Sequence, residues 1–113
     1  MNTEKLDQLF TYVQERCLWQ FFSRSWDRQE NIDGVLNTAT DMLTGKELNL
    51  ETPMDRLFYA DAKILVADIR QRFPWIEDTG AAQIRDLMQG LKERLVDYTI
   101  TRSLNGELHH SLY

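Results

Sequence analysis

The run Thr52 to Pro74, TPMDRLFYADAKILVADIRQRFP, decides the fold class. Thr52 supplies a side-chain oxygen suited to capping a helix. Pro53 suits the first helical position, where no amide hydrogen is needed, and Asp55 stands where a carboxylate can reach back to the cap. Phe58, Ala62, Leu65, Ile69 and Phe73 then recur at intervals of three or four, the period of one helical face. Pro74 disfavours helical backbone at Phe73 and ends the element. The spacing predicts a helix over 53–73.

The same period extends to both sides. Leu6, Leu9, Phe10, Val13 and Cys17 predict a first helix over 4–22, with Thr3 as its cap and Glu4 in its first turn. Ile32, Val35, Leu36, Ala39 and Leu43 predict a second over 26–44, with Ser25 as cap and Gly45 as the C-terminal stop. Gly34 inside it costs about 1 kcal/mol relative to alanine. Ile84, Leu87, Met88, Leu91, Leu95 and Tyr98 predict a fourth over 81–104. Its stretch Val96 to Thr101 contains β-branched residues that lower helix propensity, but Leu91 and Leu95 lead directly into it. No segment alternates like a strand between turn signals. The expectation is an all-α single domain over 1–113, of about four helices with a short C-terminal tail.

Composition excludes several function classes. The chain has 113 residues and a formal net charge of −5, against the basic face that nucleic-acid binding requires. No apolar run approaches the roughly 18 residues of a membrane span, and the N-terminus lacks the plan of a signal peptide. One cysteine excludes an internal disulfide and fits a reducing cytoplasm. The five glycines are dispersed without phosphate-loop or dinucleotide spacing. A di-iron bundle needs a Glu-x-x-His motif from each of two helices, and the chain has that spacing once, at Glu107 and His110 in the tail, so Asp55, Asp61 and Asp68 read as capping or solvent-facing acids. Cys17, on the stripe with Val13 and Phe21, reads as a core residue. No self-sufficient catalytic or metal-binding constellation is present.

What remains is an excess of aromatic surface. Between Cys17 and Arg28 stand Trp19, Phe21, Phe22 and Trp26, flanked by Arg24, Asp27 and Arg28. On an unbroken wheel at about 100° per residue, Phe21 continues the stripe of Leu6 and Val13, while Leu18, Trp19, Phe22 and Trp26 fall largely opposite. A helix apolar on two sides is buried twice. Either the chain bends near Phe22 to Ser25 and returns the second stripe to the core, or another chain covers it. Aromatic anchors with an arginine rim are the composition of interface centres.

Cys17-Leu18-Trp19-Gln20-Phe21 and Ser23-Arg24-Ser25-Trp26-Asp27-Arg28 resemble the signature of the delta subunit of alternative nitrogenases. Arg72-Phe73-Pro74-Trp75, Gln89 to Arg94, Thr99 to Asn105, and Glu107-Leu108 with terminal Tyr113 extend the resemblance over nearly the whole chain. The short N-terminus and Phe22 following Phe21 resemble the vanadium-iron branch more than the iron-only branch. The resemblance implies a non-catalytic accessory chain of the vanadium-iron dinitrogenase in nitrogen fixation. It implies docking on the alpha and beta large subunits, mainly alpha, in an assembly of two alpha, two beta and two delta chains, with support for cofactor insertion or complex assembly. The iron–vanadium cofactor and the P-cluster then belong to the large subunits, and this chain binds neither. Leu18, Trp19, Phe22, Arg24, Trp26 and Arg28 are the candidate contacts, with Trp75 and Tyr113 as further ones. Two alternatives stand beside this: the delta subunit of the iron-only enzyme, or a small carrier holding the iron–vanadium cofactor through Cys17, His109 and His110.

Overall fold

The computed structural model describes residues 3–17 and 29–104, with side chains for 3–15 and 32–98. Within them the protein is all-α, with no strand. Helix α1 spans Thr3–Tyr12 and runs into a π turn at Val13–Cys17. Helices α2 (Gln29–Thr44) and α3 (Pro53–Arg72) follow, then a 3₁₀ turn at Pro74–Asp78 and helix α4 (Ala81–Leu104). Helix α2 lies against both α3 and α4, α1 packs on α4, and the 3₁₀ turn folds against α3.

The core is built mostly from the expected stripes, with Phe10, Leu43, Phe58 and Phe73 partly buried at its edge. Leu6, Leu9 and Val13 from α1 and its π turn meet Ile32, Val35, Leu36 and Ala39 of α2, Ala62, Leu65 and Ile69 of α3, and Leu87, Leu91 and Leu95 of α4. Tyr12, Val66 and Ile76 are also buried there.

Capping fixes where the elements begin and end. Thr52 Oγ1 accepts from the Asp55 amide at 3.0 Å, and an Asp55 carboxylate oxygen accepts from the Thr52 amide at 3.2 Å. This reciprocal pair satisfies two donors that would otherwise be orphaned at the start of α3. Gly45 closes α2 with φ +76°, the left-handed conformation that glycine adopts without steric cost. Lys46 N–H donates to Asp41 O at 2.8 Å and Gly45 N–H to Met42 O at 3.4 Å, the two bonds of a Schellman end. Pro74 stops α3 as expected, and Thr79 Oγ1 donates to Trp75 O at 2.8 Å to pin the 3₁₀ turn behind it.

Three sequence expectations need correction. The first helix was expected to continue over 4–22, but regular α-helix ends at Tyr12. Beyond it the hydrogen bonds widen to the i→i+5 pattern of a π-helix. A wheel at a constant 100° per residue therefore does not hold across Val13–Cys17, and the two-stripe assignment of Leu18 to Trp26 lies outside the described residues. Ser25 and the expected second-helix start at 26 lie outside the described residues. Gly34 is more than a weak point in α2, because a Cβ there would lie 2.3–2.6 Å from three ring atoms of Phe58. It is the notch that lets α2 and α3 approach. Asp68, read as capping or solvent-facing, instead links two helices.

Candidate docking surface

Of the residues singled out for partner contact, Trp75 is the one among the described residues. Leu18, Trp19, Phe22, Arg24, Trp26, Arg28 and Tyr113 lie outside them, as do His109, His110 and the Cys17 side chain. Trp75 is half-buried and packs on the core. Its ring centroid is 5.6 Å from that of Phe73, tilted by 41°, and Lys5 Nζ of α1 stands 4.8 Å over the indole. The sequence around Pro74 makes this possible: helix cannot continue through Phe73, so the chain turns sharply and brings Trp75 back towards α1.

A polar network continues from that corner. Tyr12 donates its hydroxyl proton to Asp68 Oδ2, and Arg72 Nε donates to Asp68 Oδ1 at 3.3 Å. The Arg72 guanidinium also lies 5.0 Å from the Tyr12 ring centroid, and the Tyr12 and Phe73 rings meet edge-on at 5.9 Å. Tyr12 thereby buries its ring and still satisfies its hydroxyl, the usual requirement for a buried tyrosine. Sequence reasoning missed Tyr12 because it sits at the edge of the α1 stripe; its i+3 relation to Leu9 was the available signal.

These residues border an open groove of about 470 Å³ along α1, lined by Glu4, Asp7, Gln8, Thr11, Tyr12, Glu15, Arg72 and Phe73. Three carboxylates against one guanidinium make it acidic. Arg94 of α4 ties Asp7 down through an ion pair and lies 5.9 Å over the Phe10 ring. Among the described residues that line the groove there is no thiol and no imidazole. Among the described residues, no three histidine, cysteine, aspartate or glutamate side chains are grouped so as to hold a metal ion. The donor set described here therefore fits neither an iron cluster nor an iron–vanadium cofactor, which need several thiolate or imidazole ligands. No described helix is long and apolar enough to cross a membrane.

Comparison with known proteins supplies what this surface does not declare. A nitrogenase iron-iron protein delta chain of Clostridium pasteurianum is 44% identical over 109 residues, covering 96% of this chain and 94% of its own. The protein of the same name from Rhodobacter capsulatus is 42% identical over 106 residues, covering 94% and 92%. That of Rhodospirillum rubrum is 40% identical over 110 residues, covering 97% and 95%. These relatives overturn the vanadium-iron assignment, and with it the iron–vanadium cofactor expected in the complex. That assignment rested on the length of the N-terminus and on Phe22, too few positions to outweigh similarity along almost the entire chain to iron-iron proteins. The family model described as vanadium/alternative nitrogenase delta subunit matches residues 3–113, and the chain belongs to that family.

Proposed function

We propose that this chain is the accessory delta subunit of an iron-iron dinitrogenase. The observation that carries the reading is the 44% identity, over nearly the full length of both chains, to a nitrogenase iron-iron protein delta chain. The subunit has no catalytic site of its own. It docks on the large subunits, mainly alpha, in a cytoplasmic assembly of two alpha, two beta and two delta chains, and supports cofactor insertion or assembly. The metal clusters reside in the large subunits, which supply their ligands.

Docking runs through the aromatic segment. Leu18, Trp19, Phe22 and Trp26 provide the anchors, and Arg24 and Arg28 a polar rim. Trp75 and Tyr113 are further contacts. Support comes from the core, which α1 and its π turn already fill with Leu6, Leu9, Tyr12 and Val13. A π turn immediately ahead of the segment also fits, since such turns recur at functional sites.

Co-purification from nitrogen-fixing cells tests both halves. The complex is expected to carry iron without stoichiometric vanadium, and stoichiometric vanadium would end the iron-iron reading. Trp19→Ala or Trp26→Ala is expected to lose association with the large subunits while the free subunit keeps its helicity. Unchanged association by a folded variant removes that residue from the docking surface.

A further inference from the structure

Helix α3 carries a second apolar face that the core does not use. Met54, Leu57 and Ile64 expose 48%, 62% and 52% of their surface, while Ala62, Leu65, Val66 and Ile69 are buried on the opposite side. Leu57, Ala60, Ile64 and Ala67 follow at steps of three, four and three, the repeat of a coiled-coil seam, and Pro53 and Gln71 extend it by four at either end. Leu57 and Ile64 take the a positions, and Ala60 and Ala67 the d positions, where small side chains let a second helix come close. The flanks are of opposite sign. Arg56, Lys63 and Arg70 occupy the g edge, and Asp61 and Asp68 the e edge.

We propose that this face pairs with the same face of a second copy of the chain, the two α3 helices running parallel. A two-fold axis parallel to the helices sets the g edge of each against the e edge of the other. Arg56 then faces Asp61 of the second copy, and Lys63 faces Asp68 of the second copy, four attractive pairs in all. An antiparallel pair would set basic edge against basic edge and acidic against acidic. The charge pattern is thus complementary to itself in one orientation only.

Arg56, Lys63, Arg70 and Asp68 keep their existing contacts and still present charge beside the seam, and Asp61 also has a partner within its own chain. Arg56 donates to the Leu50 and Glu51 carbonyls at 3.1 and 3.3 Å, Lys63 lies 5.8 Å from the Tyr59 ring, and Arg70 pairs with Glu77 at 3.1 Å. Asp68 already accepts from Tyr12 and Arg72, and a carboxylate has about four acceptor sites. Interface pairs of this kind set orientation more than affinity. One helix laid on one helix buries less than the roughly 1,200 Å² of a standard interface, so the dimer dissociates on dilution.

The test uses the full chain alone, by sedimentation over a wide concentration series. The expected result is a monomer–dimer equilibrium that added salt weakens. Leu57→Asp with Ile64→Asp is expected to abolish the dimer and leave helicity and cooperative unfolding intact, because both side chains point away from the core. In a Cys17→Ser background, Leu57→Cys is expected to oxidise to a disulfide-linked dimer, since a positions oppose themselves only in a parallel pair. A monomer at every concentration overturns the proposal. So does a dimer indifferent to Leu57→Asp, or one that salt strengthens. A monomeric chain whose Leu57→Asp variant loses the large subunits also overturns it, and assigns the seam to them. The outcome is separable from that of the Trp19 and Trp26 variants, which report on a different segment.

Discussion

Replacing Gly34 with alanine sets two effects of opposite sign against each other. Alanine in a helix interior is worth about 1 kcal/mol over glycine, so propensity alone favours the variant. Packing opposes it. The new Cβ would stand 2.3, 2.4 and 2.6 Å from Phe58 Cε2, Cζ and Cδ2, where carbon atoms normally rest at about 3.5–4.0 Å. Relief needs a ring movement or helix separation of more than roughly 1 Å, and the ring is itself packed against the core. Three contacts this short put the overpacking cost in the upper part of the usual range, about 2–3 kcal/mol. The net expectation is a loss of about 1–2 kcal/mol, or roughly 4–10 °C in Tm for a domain of this size. Urea unfolding followed by circular dichroism measures it, provided the slope stays constant. The double variant Gly34→Ala with Phe58→Leu completes a cycle, and the two changes are expected to couple by about 1 kcal/mol or more, in the direction of rescue. A Gly34→Ala protein as stable as the parent, or strict additivity with Phe58→Leu, would refute the close-approach argument.

Gly90→Ala is the instructive contrast: its Cβ would meet one methyl of Leu6 at 2.9 Å, which a side-chain end can yield, so stability is expected within about 1 kcal/mol of the parent by the same unfolding assay. Thr52→Ala removes the side-chain acceptor of the α3 capping box and is expected to cost about 1 kcal/mol, with Thr52→Ser recovering most of it. Gly45→Ala forces a side chain into the left-handed region and is expected to cost about 1–2 kcal/mol, read as a lower urea midpoint. Tyr12→Phe keeps the ring but deletes the donor to Asp68, and a loss of about 1–2 kcal/mol is expected from thermal unfolding.

Periodicity and punctuation made the helices legible. Thr52-Pro53-Met54-Asp55, Gly45 and Pro74 each act within a few residues of chain, so their consequences follow from local chemistry, and the structure realises all three. Val96 to Tyr98 stays helical despite its local propensity because Leu91 and Leu95 are buried in the helix that leads into it. The function of Gly34, by contrast, depends on Phe58 across the helix interface, and a single-helix reading sees only its propensity cost. The Tyr12–Asp68 bond spans 56 positions in sequence, a distance at which no spacing rule operates. The π turn escaped for a related reason: one widened hydrogen-bond pattern leaves apolar spacing up to Val13 unchanged and alters only what comes after. The branch of the family was misread because Phe22 and the N-terminal length were weighed without the rest of the chain.

The two surfaces proposed for contact make different demands on the bundle, and the difference explains their chemistry. The aromatic segment concentrates tryptophan and phenylalanine, side chains whose burial carries most of an interface's energy. That composition suits a permanent partner, and its wild-type exposure in a free chain would be a liability. The α3 seam offers two large aliphatic residues, two alanines and a ladder of opposite charges, which supply orientation and little affinity. Such a seam stays soluble when unpaired, because Lys63 and Arg56 already have local contacts to return to. A subunit with both can be held firmly by a large partner at one surface while meeting a copy of itself reversibly at the other. Geometry permits this only if the seam remains open in the full complex. Cross-linking of Leu57→Cys within the purified complex, set beside the same reaction in the free chain, decides between simultaneous and mutually exclusive use: equal yields mean the surfaces are independent, and loss in the complex alone means that the large subunits cover or separate the seams.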